Sequence, residues 1–388
     1  MRKINFLLLT IVILSIGIFT SCESSDNEES SINQTVLIYM TDNNNLFSEA
    51  VANMNSLLSS YVPDDLQNGG GDILLVYTRA LEKSEGSIAK DQKPQLLRIF
   101  KDSDSNIKYE VLKEYPASVN SATKEQLKSV LDYANNLYSG EENGLILWDH
   151  GTGWSPVTNS SMKAPQAYGF ENNKSIDVQD LPSILGEKYS YIVFDCCFMG
   201  GVEVEYELKN NVDFIVASQT TIGGEGFPYT KVIADLLSGD RADLKLLAED
   251  YYNYYSTEAP CKEASISLCK TSGFDDLSTA AAKIFDKDRE NISNIDFSSV
   301  QSFSHSPDNL YYDLYDFMKS ISTNSNELAI LKTAIDNLVV YTNHTSLCNG
   351  ININTDCGLS TFIPEENASL YFDYYKNYSW NQKTQLIK

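Results

Sequence analysis

Two stretches decide the fold: Leu145-Ile146-Leu147-Trp148-Asp149-His150-Gly151-Thr152-Gly153-Trp154 and Tyr191-Ile192-Val193-Phe194-Asp195-Cys196-Cys197-Phe198-Met199-Gly200. Each begins as a continuous apolar run, which is how a strand buried on both faces of a parallel sheet reads. Each run then ends in a reactive side chain, His150 in the first and a cysteine in the second. In open α/β sheets, sites form in the crevice beyond the carboxyl ends of the strands. One right-handed crossover joins the two runs, so they are expected to be neighbours, with His150 and a cysteine at the same edge. Only a thiolate attacks well, and imidazole takes a thiol proton, so the pair suffices as nucleophile and base. The plainer alternative is that Cys196-Cys197 merely packs at a strand end, since cysteine is among the most buried residue types.

Outward from these runs, strands and helices alternate. Residues 35–40 and 72–78 read as strands, separated by a helix with Phe47, Val51, Met54, Leu58 and Tyr61 on one face at the 3.6-residue period. The glycines at 69–71 form a loop but not a phosphate cradle, because no Lys-Ser/Thr pair follows. Residues 94–100 and 109–115 read as a hairpin. Residues 123–138 read as a helix with Leu127, Val130, Ala134 and Leu137 inward, Thr123 and Gln126 as a capping box and Gly140 as the stop. Helices are expected over 177–187 and 199–208, with a strand at 213–217. The helix starting near Met199 is expected to point its positive end at Cys197. Further helices read over 244–255, 277–288 and 327–340, with a strand near 264–269 and a terminal hairpin around Ile351 and 359–364. This alternation argues for a doubly wound α/β sheet.

The chain has 388 residues, 53 acidic against 29 basic, a net charge of −24 and 42% hydrophobic residues. That apolar content suffices for a core and excludes disorder of the body of the chain. Such an acidic surface repels phosphate backbones, which argues against nucleic-acid partners. Residues 1–22 read as an export signal, with Arg2 and Lys3 ahead of an apolar run at 6–19 that is short for a membrane span. The run ends in Thr20-Ser21-Cys22, which resembles a bacterial lipobox, with Cys22 as the lipid-bearing first residue of the mature protein. An ordinary cleaved signal with an incidental Cys22 is the alternative. Residues 23–33 form an acidic, serine-rich linker, and the expected location is the bacterial outer membrane, lipid-anchored and surface-exposed.

Of three histidines, His305 and His344 read as solvated loop residues. No HExxH or paired CxxC supports zinc, and no G-x-S-x-G elbow supports a serine hydrolase. No cofactor is required by any motif. The Asp42-Asn43-Asn44 turn offers calcium ligands, although such runs are more often plain turns. Cys348 and Cys357 bracket the expected terminal hairpin, and their pairing is left open.

Trp-Asp-His-Gly-x-Gly-Trp after one strand and Phe-Asp-x-Cys-x-Met-Gly after the next resemble the clostripain family of cysteine peptidases, which are caspase-, gingipain- and legumain-like. The match extends through Tyr39-Met40, Asp42-Asn43-Asn44, Ala217-Ser218-Gln219, 224–229 and 358–364, covering about residues 34–364. The resemblance implies a caspase-like, mostly parallel sheet with helices on both faces. It places the catalytic core at 34–270, with a C-terminal α+β extension at 271–388 packed on it. It makes His150 the general base and acid, Cys197 the nucleophile, and the backbone N–H groups of Gly151 and Cys197 the oxyanion donors. Cys196 stands where the family commonly has alanine, and strand alternation turns it to the opposite face. Family members cut after basic residues, and the positions of their pocket carboxylates match Asp195 and Glu225; two carboxylates facing one pocket bind Arg or Lys. The alternatives are a helix cap for Asp195 and a solvated loop carboxylate for Glu225. Relatives mature by internal cleavage between the two motifs, which puts the expected cut after Lys163 and before Ala164, in the polar segment 152–176 that also holds Lys174. The implied activity is a monomeric cysteine endopeptidase acting on proteins or peptides after Arg or Lys. Its rival is a catalytically silent surface-binding lipoprotein of the same fold.

Overall fold

The computed structural model describes residues 31–67, 70–81, 92–155, 168–186, 189–305 and 310–388. The first half runs β1 (Ile32–Met40), α1 (Phe47–Leu57), β2 (Gly71–Thr78), β3 (Gln95–Lys101), β4 (Ile107–Glu114), α2 (Lys124–Leu137) and β5 (Glu142–Trp148). A small hairpin, β6 (Tyr168–Glu171) and β7 (Lys174–Ile176), precedes α3 (Leu181–Leu185), β8 (Tyr189–Asp195), α4 (Val202–Leu208) and β9 (Val212–Ala217). Next come α5 (Tyr229–Leu237), α6 (Leu244–Asn253), β10 (Ser265–Lys270), α7 (Phe274–Asp288), β11 (Tyr312–Asp313), α8 (Leu314–Ile321) and α9 (Ser325–Leu338). The chain closes with β12 (Val339–His344), β13 (Leu347–Cys348), β14 (Ile351–Asn352), β15 (Ser360–Thr361), α10 (Phe372–Tyr375) and α11 (Ser379–Thr384).

Among the described residues, nine strands form one sheet in the order β12-β10-β9-β8-β5-β1-β2-β3-β4. The central five, β9 to β2, run parallel, and antiparallel pairs flank them on both sides. Strand alternation splits the apolar side chains between two cores. In β1, Leu37 and Tyr39 enter one, while Val36, Ile38 and Met40 enter the other. Leu127 of α2, Leu181 of α3, Val204 of α4 and Ile284 of α7 cover the first core, and Met54 of α1, Val232 of α5 and Leu247 of α6 cover the second. Each fully buried aliphatic side chain contributes about 1.5–3 kcal/mol, so helices on both faces are what make a parallel sheet viable.

Residues 271–388 supply part of that sheet, since β12 pairs with β10 from Ser265↔His344 to Cys269↔Val339. They also brace the site loops. Trp154 lies in an aromatic cluster with Phe362, Tyr371, Tyr375 and Tyr378, and Tyr378 donates from its hydroxyl to Trp154 O at 2.9 Å.

Several expectations need correction. Leu137 is 44% exposed, because the inward stripe of α2 is Leu127, Val130, Leu131 and Ala134 and the chain leaves the helix at Tyr138. Thr123 does cap Gln126 N, at 3.3 Å, but the Gln126 side chain donates to Tyr77 Oη instead of closing a capping box. The inward residues of α1 are Ala50, Asn53, Met54 and Leu57, so Phe47, Val51, Leu58 and Tyr61 only flank the core. The terminal hairpin is β13 with β14, whereas β15 pairs with the distant β11. Cys348 and Cys357 are both free thiols.

Candidate active site

The two motif strands are neighbours in parallel register, ending at Trp148↔Asp195, and Asp149 N donates to Asp195 O at 3.3 Å. His150 and Cys197 therefore leave the sheet from adjacent strand ends. Gly151 then lies against the Cys197 peptide. A Cβ at Gly151 would sit 2.5 Å from Cys197 O and 2.9 Å from Cys196 Cβ, so only glycine allows the approach. Directly after Cys197, Phe198 has φ 62°, a left-handed conformation that is costly for a bulky side chain. It is held there by Phe198 N donating to Thr220 O at 2.8 Å and by ring stacking on Tyr311 at 4.7 Å.

The two cysteines face opposite sides, as strand alternation requires. Cys196 joins Ile192 and Phe194 in the first core, and its Sγ donates to Leu147 O at 3.3 Å. Burial pushes its thiol well above the ordinary range. Cys197 is only partly buried and its Sγ accepts from Ile222 N at 3.3 Å. Burial raises its pKa too, and the Ile222 N–H opposes the rise. The expected help from a helix end is not there: α4 starts at Val202 and has seven residues. Gly200 N donates to Ser218 O at 2.8 Å, which ties 198–201 into a turn rather than a helical one.

His150 Nε2 lies 3.0 Å from Asn45 Oδ1. A carboxamide oxygen only accepts, so Nε2 donates and Nδ1 keeps its lone pair. Burial lowers the His150 pKa, and the nearby Glu49 carboxylate partly opposes this. Burial thus favours the uncharged forms of both the imidazole and the thiol. Asn45 was not legible as a functional residue, although its signal was the polar run after the first strand.

That run, residues 42–45, is consumed by structure. Asp42 Oδ2 accepts from Thr78 Oγ1 at 2.6 Å and Arg79 N at 2.7 Å, and burial pushes its pKa up to about 6. Asn43 donates to Glu171, which sits 3.5 Å from the buried Arg79 guanidinium. Asn44 donates to Asp149 Oδ1 at 2.7 Å, and Phe170 N donates to Asp149 Oδ2 at 2.5 Å. Within this run, Asp42 Oδ1 is the one side-chain oxygen buried without a partner, and calcium takes about 6–8 oxygen ligands, so the turn does not fit calcium. Among the described residues, no group of three or more His, Cys, Asp or Glu is placed to hold a metal ion.

The segments past Asn45 and Ile222, the partners of His150 and Cys197, line a cavity of about 600 Å³ whose lining includes Glu49, Asn53, Glu225, Phe227, Tyr229 and Tyr254. Asn53 fastens its walls: Trp148 Nε1 donates to Asn53 Oδ1 at 2.8 Å, and Asn53 Nδ2 donates to Glu225 O at 2.9 Å. Glu225 lines this cavity as expected, but Asp195 does not. Asp195 is 4% exposed, and its Oδ2 accepts from Phe227 N at 3.1 Å and Tyr229 Oη at 3.0 Å. Gly226 covers it, with φ 67° and a Cβ position 2.8 Å from Asp195 Oδ2. Burial pushes Asp195 up to about 7. It caps no helix, and it belongs to the framework behind the cavity wall. Lys174 is exposed on β7, while Cys22, Lys163 and Ala164 lie outside the described residues.

A histidine and a cysteine at neighbouring strand ends of a caspase-like sheet, beside an acidic cavity, are the arrangement of a cysteine peptidase. The sequence profile of the Clostripain family matches residues 38–386, and the chain belongs to that family. Clostripain of Hathewaya histolytica is 29% identical over 133 residues, which span 31% of this chain and only about a quarter, 25%, of that relative. Among solved structures, an inactive zymogen C11 protease from Parabacteroides distasonis is similar at 27% identity and TM-score 0.78, covering 92% of this chain and 99% of that one. A secreted C11 cysteine protease from Bacteroides thetaiotaomicron, in complex with an irreversible peptide inhibitor, is similar at 26% identity and TM-score 0.76, covering 92% and 100%.

Proposed function

We propose that this chain is a cysteine endopeptidase that cleaves peptide bonds after Arg or Lys, with Cys197 as nucleophile and His150 as base. The observation that carries this reading is that both residues follow adjacent strand ends and bond to Asn45 and Ile222, whose segments lead into a cavity lined by carboxylate. The basic side chain of the substrate enters that cavity. His150 Nδ1 takes the Cys197 proton as Sγ bonds to the carbonyl carbon, and the oxygen gains the negative charge. Backbone N–H groups of Gly151 and Cys197 receive that oxyanion. As the tetrahedral species collapses, the imidazolium protonates the leaving amine and the C–N bond breaks, leaving a thioester. Water, deprotonated by the same imidazole, then releases the acid and restores the thiol. The proton moves as the C–S bond forms, so the imidazolium appears together with the oxyanion rather than with a free thiolate. A cation in the cavity also pulls Asp195 back toward its ionised form, because an opposite charge favours it.

The irreversible peptide inhibitor in the Bacteroides relative supports peptides as substrates. The zymogen state of the Parabacteroides relative supports maturation by processing. For this chain the cut is proposed after Lys163, in a polar segment between the two motifs. Export and a lipid on Cys22 complete the reading, placing the enzyme on the outer surface of a bacterial envelope. The test is a peptide panel varied at the residue before the cut. Cleavage after Arg or Lys is expected, and equal cleavage after Leu dismisses the pocket assignment. Purified mature protein should run as two denatured fragments with a new amino terminus at Ala164, and Cys197→Ala as one. A fully active intact chain sinks the processing site.

A further inference from the structure

The cavity past Asn45 and Ile222 carries two carboxylates, and they come from two different elements. Glu225 belongs to the loop after β9, and Glu49 to the first turn of α1. Both reach the same stretch of loop: a Cβ at Gly223 would lie 3.1 Å from Glu225 Oε2, and one at Gly224 would lie 3.8 Å from Glu49 Cγ. Among the described residues, neither carboxylate forms an ion pair. Among the described residues, Glu49 accepts a side-chain hydrogen bond from its neighbour Ser48 alone, at 2.7 Å, and it stays partly exposed. Asp195, by contrast, is committed to Phe227 N and Tyr229 Oη behind the wall. Ala52, Phe227, Tyr229 and Tyr254 add apolar and aromatic lining to the same cavity, which suits an alkyl stem ending in a cation.

We propose that Glu49 is a specificity-determining residue, pairing with Glu225 to hold the guanidinium of an arginine before the scissile bond, while Asp195 positions the loop behind them. This rests on the peptidase reading above. Arginine fits better than lysine because five donors in a rigid fork serve carboxylates on two walls together, whereas an ammonium is a point charge. Glu49 follows Asn45, the partner of His150, by four residues, so one short segment both orients the base and reads the substrate. An acid in a first helical turn also suits the helix dipole. That role alone changes the melting temperature and leaves the Arg-to-Lys ratio untouched, which separates the two.

The experiment compares the unmutated mature protein with Glu49→Gln, Glu49→Asp and Glu225→Gln on matched peptides carrying Arg or Lys before the cut. Thermal midpoints serve as the fold control. For Glu49→Gln, KM for the Arg peptide should rise about ten- to a hundredfold, the size of a lost hydrogen bond to a charged group, with kcat little changed. The Arg-over-Lys preference should fall toward one, and Glu49→Asp should restore part of it. An unchanged Arg KM and Arg-to-Lys ratio in Glu49→Gln, in a protein that does cut after Arg, overturns the role of Glu49 alone. Failure of the unmutated protein to cut after either basic residue overturns the peptidase specificity and this proposal together.

Discussion

At the ends of β5 and β8, ladder hydrogen bonds hold residues in fixed register, whereas at the cavity wall α1 and the loop after β9 meet chiefly through side chains such as Asn53. The first region fixes where Cys197 and His150 leave the sheet. The second decides what is brought to them. Their acids differ in the same way. Asp42, Asp149 and Glu171 are buried and occupied by Thr78, Asn44, Asn43 and Arg79, so they stiffen the base of the site. Glu49 and Glu225 line open space without an ion pair among the described residues. Changes at the strand ends should therefore fall on kcat, and changes at the wall on KM and on the choice of substrate.

The largest effect separates two adjacent residues at the strand end. Cys197→Ala should abolish turnover while leaving peptide binding, because the attacking atom is gone. Cys196→Ala should keep most activity and lose about 1 kcal/mol of stability from the small cavity it leaves in the first core. Activity that survives Cys197→Ala but not Cys196→Ala would reverse the facing of the two side chains. Next in size is Asp195→Asn, read as kcat/KM on Arg and Lys peptides. Asp195 lies behind the wall and holds Phe227 N and Tyr229 Oη, so loosening that loop costs about 1.5–3 kcal/mol, roughly tenfold or more. An effect confined to thermal stability would mean that these contacts do not position the cavity wall.

Asn45→Ala should lower kcat about fivefold, roughly 1 kcal/mol for one hydrogen bond, with KM unchanged. A change in KM alone would move Asn45 from the strand-end region to the wall. The smallest effect is on pH. Burial disfavours the imidazolium, so His150 stays a neutral base below its ordinary 6.5, and the acid limb of kcat/KM should lie below that value. Glu49 works against burial, so Glu49→Gln should move the limb lower still. A limb above 6.5 would mean that a carboxylate, not burial, dominates at His150.

How much was legible follows the same division. The runs 145–148 and 191–194 announce central strands because both faces of a parallel strand must be apolar, and the residues that follow them inherit the catalytic edge. The cavity wall left no such mark. Period counting put Phe47 and Val51 inward beside Met54, whereas Ala50, Asn53 and Leu57 share that face with Met54, and Glu49 turns to the cavity. Asp195 was visible as an acid near the nucleophile. Its burial under Gly226 depends on a loop thirty residues away, which no local pattern encodes. The pairing of β15 with β11 was hidden for the same reason, since two-residue strands carry no periodicity and their partner is remote.

The most direct measurement is covalent labelling of the mature protein with an arginine- or lysine-derived electrophile, located by peptide mass spectrometry. A single adduct on Cys197 is predicted, with Cys196 and Cys269 unmodified in their buried sites, competition by an arginine-ended peptide, and no label in Cys197→Ala. An adduct on Cys196, or equal labelling of Cys197 by a leucine-derived electrophile, would contradict the account.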